Sequence, residues 1–272
     1  MNSPSLPPAP FDPAASTYDT VFTETTLAQW LRALVRAQIA DIFRPGDQVL
    51  ELGCGTGEDA VWLAQRGIRV TATDASEEML QVARLKVEGN KLQDWVSFHR
   101  VDLATNLKDQ FLIPNSQFPI SSVFSNFGPL NCLPERKTLA EWLAKIVPRG
   151  GKVVLVMMGP VCAWEIGWHL AHLQPRTAFR RFGAGIPAHT GGGGTVRVWY
   201  PSAARVRQEF APYFRQTKLV GIGTFLPPSY LSHLVDRWPR VFETARGWDQ
   251  RWGHVFPWNA VSDHYLIVLE HI

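Results

Sequence analysis

Three acidic residues, Glu51, Asp74 and Asp102, each stand at or just past the end of an apolar run, and Glu51 is followed closely by Gly53, Gly55 and Gly57. Carboxylates at strand ends beside a glycine turn are suited to binding a nucleoside. Glycine accepts positive φ cheaply and lets a ligand touch the backbone, while a helix opening there turns its free N–H groups toward the same spot. The stretch Val49-Leu50-Glu51-Leu52-Gly53-Cys54-Gly55-Thr56-Gly57 therefore reads as strand, turn and helix start of a nucleoside-binding α/β domain.

Spacing narrows the ligand. A dinucleotide turn wants G-x-G-x-x-G, yet Glu58 occupies the third glycine position, and no Gly-Lys-Ser/Thr follows to make a triphosphate loop. Glu51 would repel a pyrophosphate at the helix N-terminus but suits the cationic head of a sulfonium amino acid. The segment resembles motif I of the class I S-adenosylmethionine (SAM) dependent methyltransferases, whose E-x-G-x-G-x-G pattern is matched by Glu51, Gly53, Gly55 and Gly57. The resemblance implies a SAM site, with S-adenosylhomocysteine (SAH) as product.

Within it, Asp74, ending the run Val70–Thr73, takes the ribose hydroxyls, and Ala75 and Asn126 join the cofactor set. Met79 lies against the adenine, Asp102 meets its amino group and the Leu103 N–H a ring nitrogen. Cys54 fills the family's small position, with backbone contact to the ligand. Singly, an Asp closing a strand is a turn former or helix cap; the joint spacing argues for more. Ser76 reads as the N-cap of the helix that holds Met79. Upstream, Phe11-Asp12-Pro13 and Tyr18-Asp19 are similar to the start of ubiquinone/menaquinone-type methyltransferases, where this segment folds over the cofactor and Tyr18 nears its amino-acid end. The alternative is an ordinary packing helix. Arg32, at helical spacing, is a candidate for the cofactor carboxylate.

These residues need an open sheet to position them. Apolar runs predict a Rossmann-like α/β fold: a seven-stranded sheet, mostly parallel with strand 7 antiparallel, flanked by helices. After the strand at 151–158, a helix at 202–214, a strand at 217–222 and an antiparallel strand at 264–269 complete it. Residues 159–201 and 223–262 are left over and are expected to form a cap at the ligand edge. They hold Trp164, Trp168, Trp199, Trp238, Trp248, Trp252 and Trp258, out of 11 tryptophans in the chain, which suit an apolar pocket or serve to anchor the insertions. Arg176, Arg180, Arg181 and Arg197 suit an acidic substrate or a solvated face.

For the chemistry, methyl transfer to a small-molecule acceptor is expected, with a base at the strand ends. Candidates are His264 at the start of strand 7, His169 on the helix at 162–173, and Tyr200. Glu165, His169 and His172 share a helix face, but no further ligand cluster accompanies them and no metal is expected. The alternatives are a catalytically silent SAM-binding regulator or partner subunit, and an NAD-dependent oxidoreductase. Asn126-Phe127-Gly128-Pro129 lacks the Asn/Asp-Pro-Pro-aromatic sequence of exocyclic-amine methylation.

With 272 residues and 46% apolar content, the chain can bury a full core as one domain, 11–272, after a loose proline-rich tail, 1–10, that lacks signal-peptide features. The net charge of +3 gives no argument for nucleic acid, and the absence of a spanning apolar run gives none for a membrane partner. The 3 cysteines form no paired framework, which fits a reducing cytoplasm. The oligomeric state is left open.

Overall fold

The computed structural model describes residues 8–105 and 119–272; most of the expected tail lies outside the described residues. Strands β1 (Gln48–Leu52), β2 (Arg69–Asp74), β3 (Val96–Arg100), β4 (Ser122–Ser125) and β5 (Lys152–Met158) pair in parallel. β1 and β4 are buried along their length, as strands covered on both faces must be. β6 (Ile186–Gly191) and β7 (Gly194–Val198) form a separate hairpin, and β8 (Phe214–Ile222) and β9 (His264–His271) finish the main sheet. Its order is β3-β2-β1-β4-β5-β9-β8, with β9 antiparallel to both neighbours. This is the expected Rossmann-like sheet with one antiparallel strand.

Helices α1 (Thr26–Ile39), α2 (Glu58–Ala64) and α3 (Glu77–Gly89) precede α4 (Lys137–Ile146). Further along come α5 (Ala163–Ala171), α6 (Pro175–Ala178), α7 (Ala203–Phe210), α8 (Ser232–Arg237) and α9 (Pro239–Trp252). Leu27, Leu31 and Val35 of α1 and Leu63 of α2 pack with Val49 and Val70 on one face of the sheet. Leu139 and Leu143 of α4 and Phe210 of α7 pack with Leu50 and Leu52 on the other, so successive β1 residues serve opposite cores.

Two boundaries differ from the sequence reading. The helix expected over 202–214 stops at Phe210, and the strand expected from Thr217 starts at Phe214. Pro212 accounts for the first, since its ring blocks another helical turn and it has no N–H to extend the ladder.

The first insertion contributes α5, α6 and the hairpin. β6 hid in the sequence because Pro187 and nearby glycines mask its alternation. The hairpin tip lies against the N-terminal stretch: Thr190 Oγ1 donates to the Pro10 carbonyl at 2.7 Å. A Cβ on Gly194 would stand 2.0 Å from that carbonyl, and one on Gly192, at φ +56°, 2.4 Å from the Pro13 oxygen. The glycines there permit close approach of two backbones. The second insertion lays α8 and α9 beside α1, with Leu234, Val235, Phe242 and Ala245 joining the α1 core. Trp164 is half-buried and donates its indole N–H to the Phe225 carbonyl at 2.9 Å, whereas Trp238, Trp248, Trp252 and Trp258 are exposed. Among the described residues no helix is long and apolar enough to cross a membrane.

Candidate active site

The glycine turn is held from β2. The Gly53 and Cys54 N–H groups both donate to the Thr73 carbonyl, at 2.8 and 2.9 Å. Gly53, Gly55 and Gly57 all have positive φ, at +70°, +53° and +76°, but their surroundings differ. A Cβ on Gly53 would meet the Pro129 ring at 2.3 Å and one on Gly57 would meet Ala83 Cβ at 2.8 Å, whereas one on Gly55 would enter open space. Two glycines thus serve packing, and Gly55 leaves room beside the turn.

Asp74 closes β2 beside that room. Its Oδ2 accepts from the Gly55 N–H and its Oδ1 from the Ser76 N–H, each at 2.9 Å. Burial raises its pKa, and these N–H groups oppose the shift. Ser76 caps α3 as expected, accepting from the Met79 N–H at 3.1 Å, and its hydroxyl donates to Asp12 at 2.6 Å. Met79 is buried beneath, and Ala75 lends its carbonyl to Arg100 at 2.9 Å. Asp102 accepts from the Ala104 N–H at 2.9 Å in the turn after β3, and Leu103 packs half-buried on the second core. Cys54 is buried, and burial with the charges of Asp74 and Glu51 pushes its thiol well up, which suits packing and not reactivity.

At the end of β1, Glu51 is buried. Burial pushes its carboxyl well above the usual range, the Asp59 charge adds to this and Arg32 opposes it. Asp59, on α2, is itself buried and accepts from Arg32, from Arg36 at 3.2 Å and from Asn126 Nδ2 at 2.7 Å. Three buried polar atoms here have no hydrogen-bond partner among the described residues: Glu51 Oε2, Asn126 Oδ1 and Arg32 Nε. They are two acceptors and one donor, the set that an ammonium and a carboxylate on one carbon require. The SAM amino-acid head fits these residues.

The N-terminal stretch crosses the turn. Thr56 Oγ1 donates to Asp19 at 2.6 Å, and Lys86 pairs with the same carboxylate at 2.8 Å. Tyr18 is pushed up to about 12 by burial, with the Arg32 charge working against the shift. From Tyr18 a row of rings runs through Phe22 (5.4 Å) to Phe127 (6.1 Å) and His264 (5.3 Å). Phe127 adopts φ +52°, and the Arg32 guanidinium lies 5.2 Å from its ring centre.

The base candidates separate. His264, the first residue of β9, is buried at the sheet edge, its Nδ1 3.1 Å from Asp263 Oδ2 but outside hydrogen-bond alignment. Its Nε2 carries no hydrogen bond among the described residues. Asp263 also accepts from Arg181, and although burial works to raise it, the His264 and Arg181 charges hold it well below the usual carboxylate range. Both ring nitrogens of His169 are engaged, with Gln174 at 2.8 Å and Tyr230 at 3.1 Å. Tyr200 lies 5.1 Å under the Arg181 guanidinium, and burial raises its pKa. Glu165, a member of the helix-face trio, pairs with Arg180 and Arg181, both at 2.8 Å, and His172 is exposed. Arg181 is therefore a buried structural cation, and Arg197 donates to the Gly185 carbonyl at 3.2 Å.

Residues 49–151 match the family model of a methyltransferase domain. The match places a methyltransferase domain over those residues, on β1 to the start of β5. The chain is 35% identical over 150 residues to the demethylmenaquinone methyltransferase of Clavibacter sepedonicus, a match covering 54% of this chain and 56% of that protein. It thus spans about half the length of the curated relatives it matches. Around the methyltransferase domain, the solved CcbJ methyltransferase of Streptomyces caelestis superposes over 97% of this chain and 98% of its own, with a TM-score of 0.62 and 16% identity. A Haemonchus contortus phosphoethanolamine N-methyltransferase in complex with SAM superposes over 96% of this chain and 57% of its own, with a TM-score of 0.57 and 16% identity. At such identity both show the fold alone.

The sequence reading missed Asp59 and the place of Phe127 between Phe22, His264 and Arg32. Asp59 reads there as one of two acids in a helix's first turn, and only the approach of α1 makes it a hub.

Proposed function

We propose that the chain transfers a methyl group from SAM to a small-molecule acceptor at the carboxyl edge of the sheet. The observation that carries this is the trio of unpartnered buried atoms on Glu51, Asn126 and Arg32, with Glu51 on the strand that runs into the glycine turn. When bound, SAM supplies an electrophilic methyl on a cationic sulfur. Glu51 and Asn126 hold its ammonium, Arg32 its carboxylate and Asp74 its ribose, while Met79, Asp102 and Leu103 receive the adenine. The rings of Tyr18, Phe22 and Phe127 support an enclosed, apolar acceptor site that excludes water.

For a hydroxyl, protonated amine or enol acceptor, His264 takes the proton on Nε2, and Asp263 stabilises the imidazolium that results. His169, with both nitrogens engaged, and Tyr200, with its raised pKa, are the weaker candidates on the same geometry. The cysteines Cys54, Cys132 and Cys162 are free, which supports a reducing cytoplasm.

The test is calorimetry with SAH, SAM and NAD, followed by transfer from methyl-labelled SAM into size-fractionated cell extract. Binding of SAH and SAM but not NAD, with label in the small-molecule fraction, is expected. Label in protein or nucleic acid overturns the acceptor class. Binding without any transfer favours the silent regulator, and tight NAD binding without SAH overturns the cofactor assignment.

A further inference from the structure

Helix α9 presents a second surface with its own chemistry. Val241, Trp248 and Trp252 fall at i, i+7 and i+11, hence on one face, and are 64, 51 and 42% exposed. Trp238, at the helix N-cap, and Phe256, beyond its end, extend the row, and both are exposed. Single exposed apolar residues are ordinary, but a row of large ones along a whole helix is not. The adjoining face is already used, since Phe242, Ala245 and Asp249 are buried and seat the helix, leaving the row along its outer flank.

Arginines accompany the row. Arg237, Arg240 and Arg251 are exposed, with the Arg237 guanidinium 5.2 Å from the Trp238 ring centre and that of Arg251 5.3 Å from Trp252. Glu243, the exposed acid of α9, follows Val241 by two residues and so lies away from the row.

We propose that this face of α9 docks on an anionic lipid surface. Tryptophan places an apolar ring and a single N–H donor where hydrocarbon meets headgroup, and flanking arginines draw it to negative lipid. A helix used in this way lies in the plane of the interface, so it needs no spanning run. Charge argues against a second copy of the chain as occupant, because a two-fold contact through this face would set arginines against arginines. Position adds to the case: α9 belongs to the segment joining the end of β8 to His264, and Thr224 Oγ1 ties that segment together by donating to the Trp258 carbonyl at 3.2 Å. The stretch that ends α9 returns to the same end of the sheet as the base candidate, where the Gly221 N–H donates to the Gly253 carbonyl at 2.7 Å.

Flotation of the full chain with vesicles of phosphatidylcholine alone, or of phosphatidylcholine mixed with phosphatidylglycerol, tests this. The chain is expected to float with the mixed vesicles at low salt and to be released by high salt. Arg240→Glu with Arg251→Glu should abolish the preference for the anionic lipid. Trp248→Ser with Trp252→Ser should weaken binding by about tenfold or more. Because Trp248 also touches Phe225, Val241→Ser with Trp252→Ser serves as a second pair that leaves that contact intact. Failure to float with anionic vesicles, or unchanged binding in both apolar pairs, overturns the proposal. So does a dimer in sedimentation velocity that the same substitutions dissolve, since the face would then belong to a second copy. Cofactor binding plays no part in these measurements, so their outcome is independent of the methyl-transfer reading.

Discussion

Asn126 donates to Asp59 at 2.7 Å, and the same carboxylate holds Arg32 and Arg36, so the end of β4, the start of α2 and the middle of α1 meet at one buried charge. Removing that charge leaves Arg32 buried without its ion partner. Asp59→Asn is expected to lower unfolding stability by about 3–5 kcal/mol in urea titrations, the cost of breaking a buried pair. Asn126→Ala leaves the arginines in place and should cost about 1 kcal/mol of stability, yet weaken SAH binding about tenfold. Wild-type SAH affinity in Asn126→Ala would mean that its unpartnered oxygen is no ligand.

The turn glycines should separate fold from binding. Gly57→Ala brings a Cβ to 2.8 Å from Ala83, and Gly53→Ala one to 2.3 Å from the Pro129 ring, both at positive φ, so both should destabilise. Gly55→Ala meets no neighbour and should cost only the left-handed strain, about 1–2 kcal/mol. Its main effect is expected on cofactor affinity. Thermal melts with calorimetry check this, and equal SAH affinity in Gly55→Ala would place the ligand elsewhere.

Asp74→Ala is expected to weaken SAH binding by about 1.5–3 kcal/mol, the value of hydrogen bonds to a charged acceptor. Asp102→Asn should cost less because it retains an acceptor for the adenine amine. The ribose assignment fails if the Asp74 variant binds normally while folded.

For the two histidines the expected outcomes differ in kind. His264→Gln should lower turnover by about 10²–10⁴-fold with cofactor affinity nearly unchanged. His169→Gln disturbs the hydrogen bonds to Gln174 and Tyr230 and should appear in stability, by about 1–2 kcal/mol, with turnover per folded molecule retained. A reversal of these effects would move the base to His169 on α5.

Asp249 supplies a pH dependence. Burial raises its carboxyl to about 6 despite the N–H groups of Thr224 and Phe225. The folded state therefore holds this proton more tightly than the unfolded chain, so the contribution of Asp249 falls as pH rises from about 4 to about 6, by roughly 3 kcal/mol in all. Asp249→Asn should lack this component. Urea midpoints of both proteins across that window should diverge with rising pH in favour of the variant, and parallel curves would refute the shift.

What the sequence disclosed was local. Glu51 with its glycines, Asp74 after β2 and Ser76 as a cap depend on neighbours a few residues away, and all stand where spacing puts them. The start of β9 at His264 was also legible, because the apolar run begins there. Asp59, the strained Phe127 and the engaged nitrogens of His169 depend on side chains brought in from distant segments, and no periodicity reports those. Pro212 was an available signal for the end of α7 that a purely apolar pattern overrides.

The contact between Thr190 and Pro10 joins residues 180 positions apart in a chain of 272. A cover made in this way cannot be completed until the hairpin has been synthesised, and its closure entropy is repaid by few apolar contacts. The glycine turn and the five parallel strands all precede the hairpin in the chain, so the contact that ties the N-terminal stretch down is expected to order late and open early.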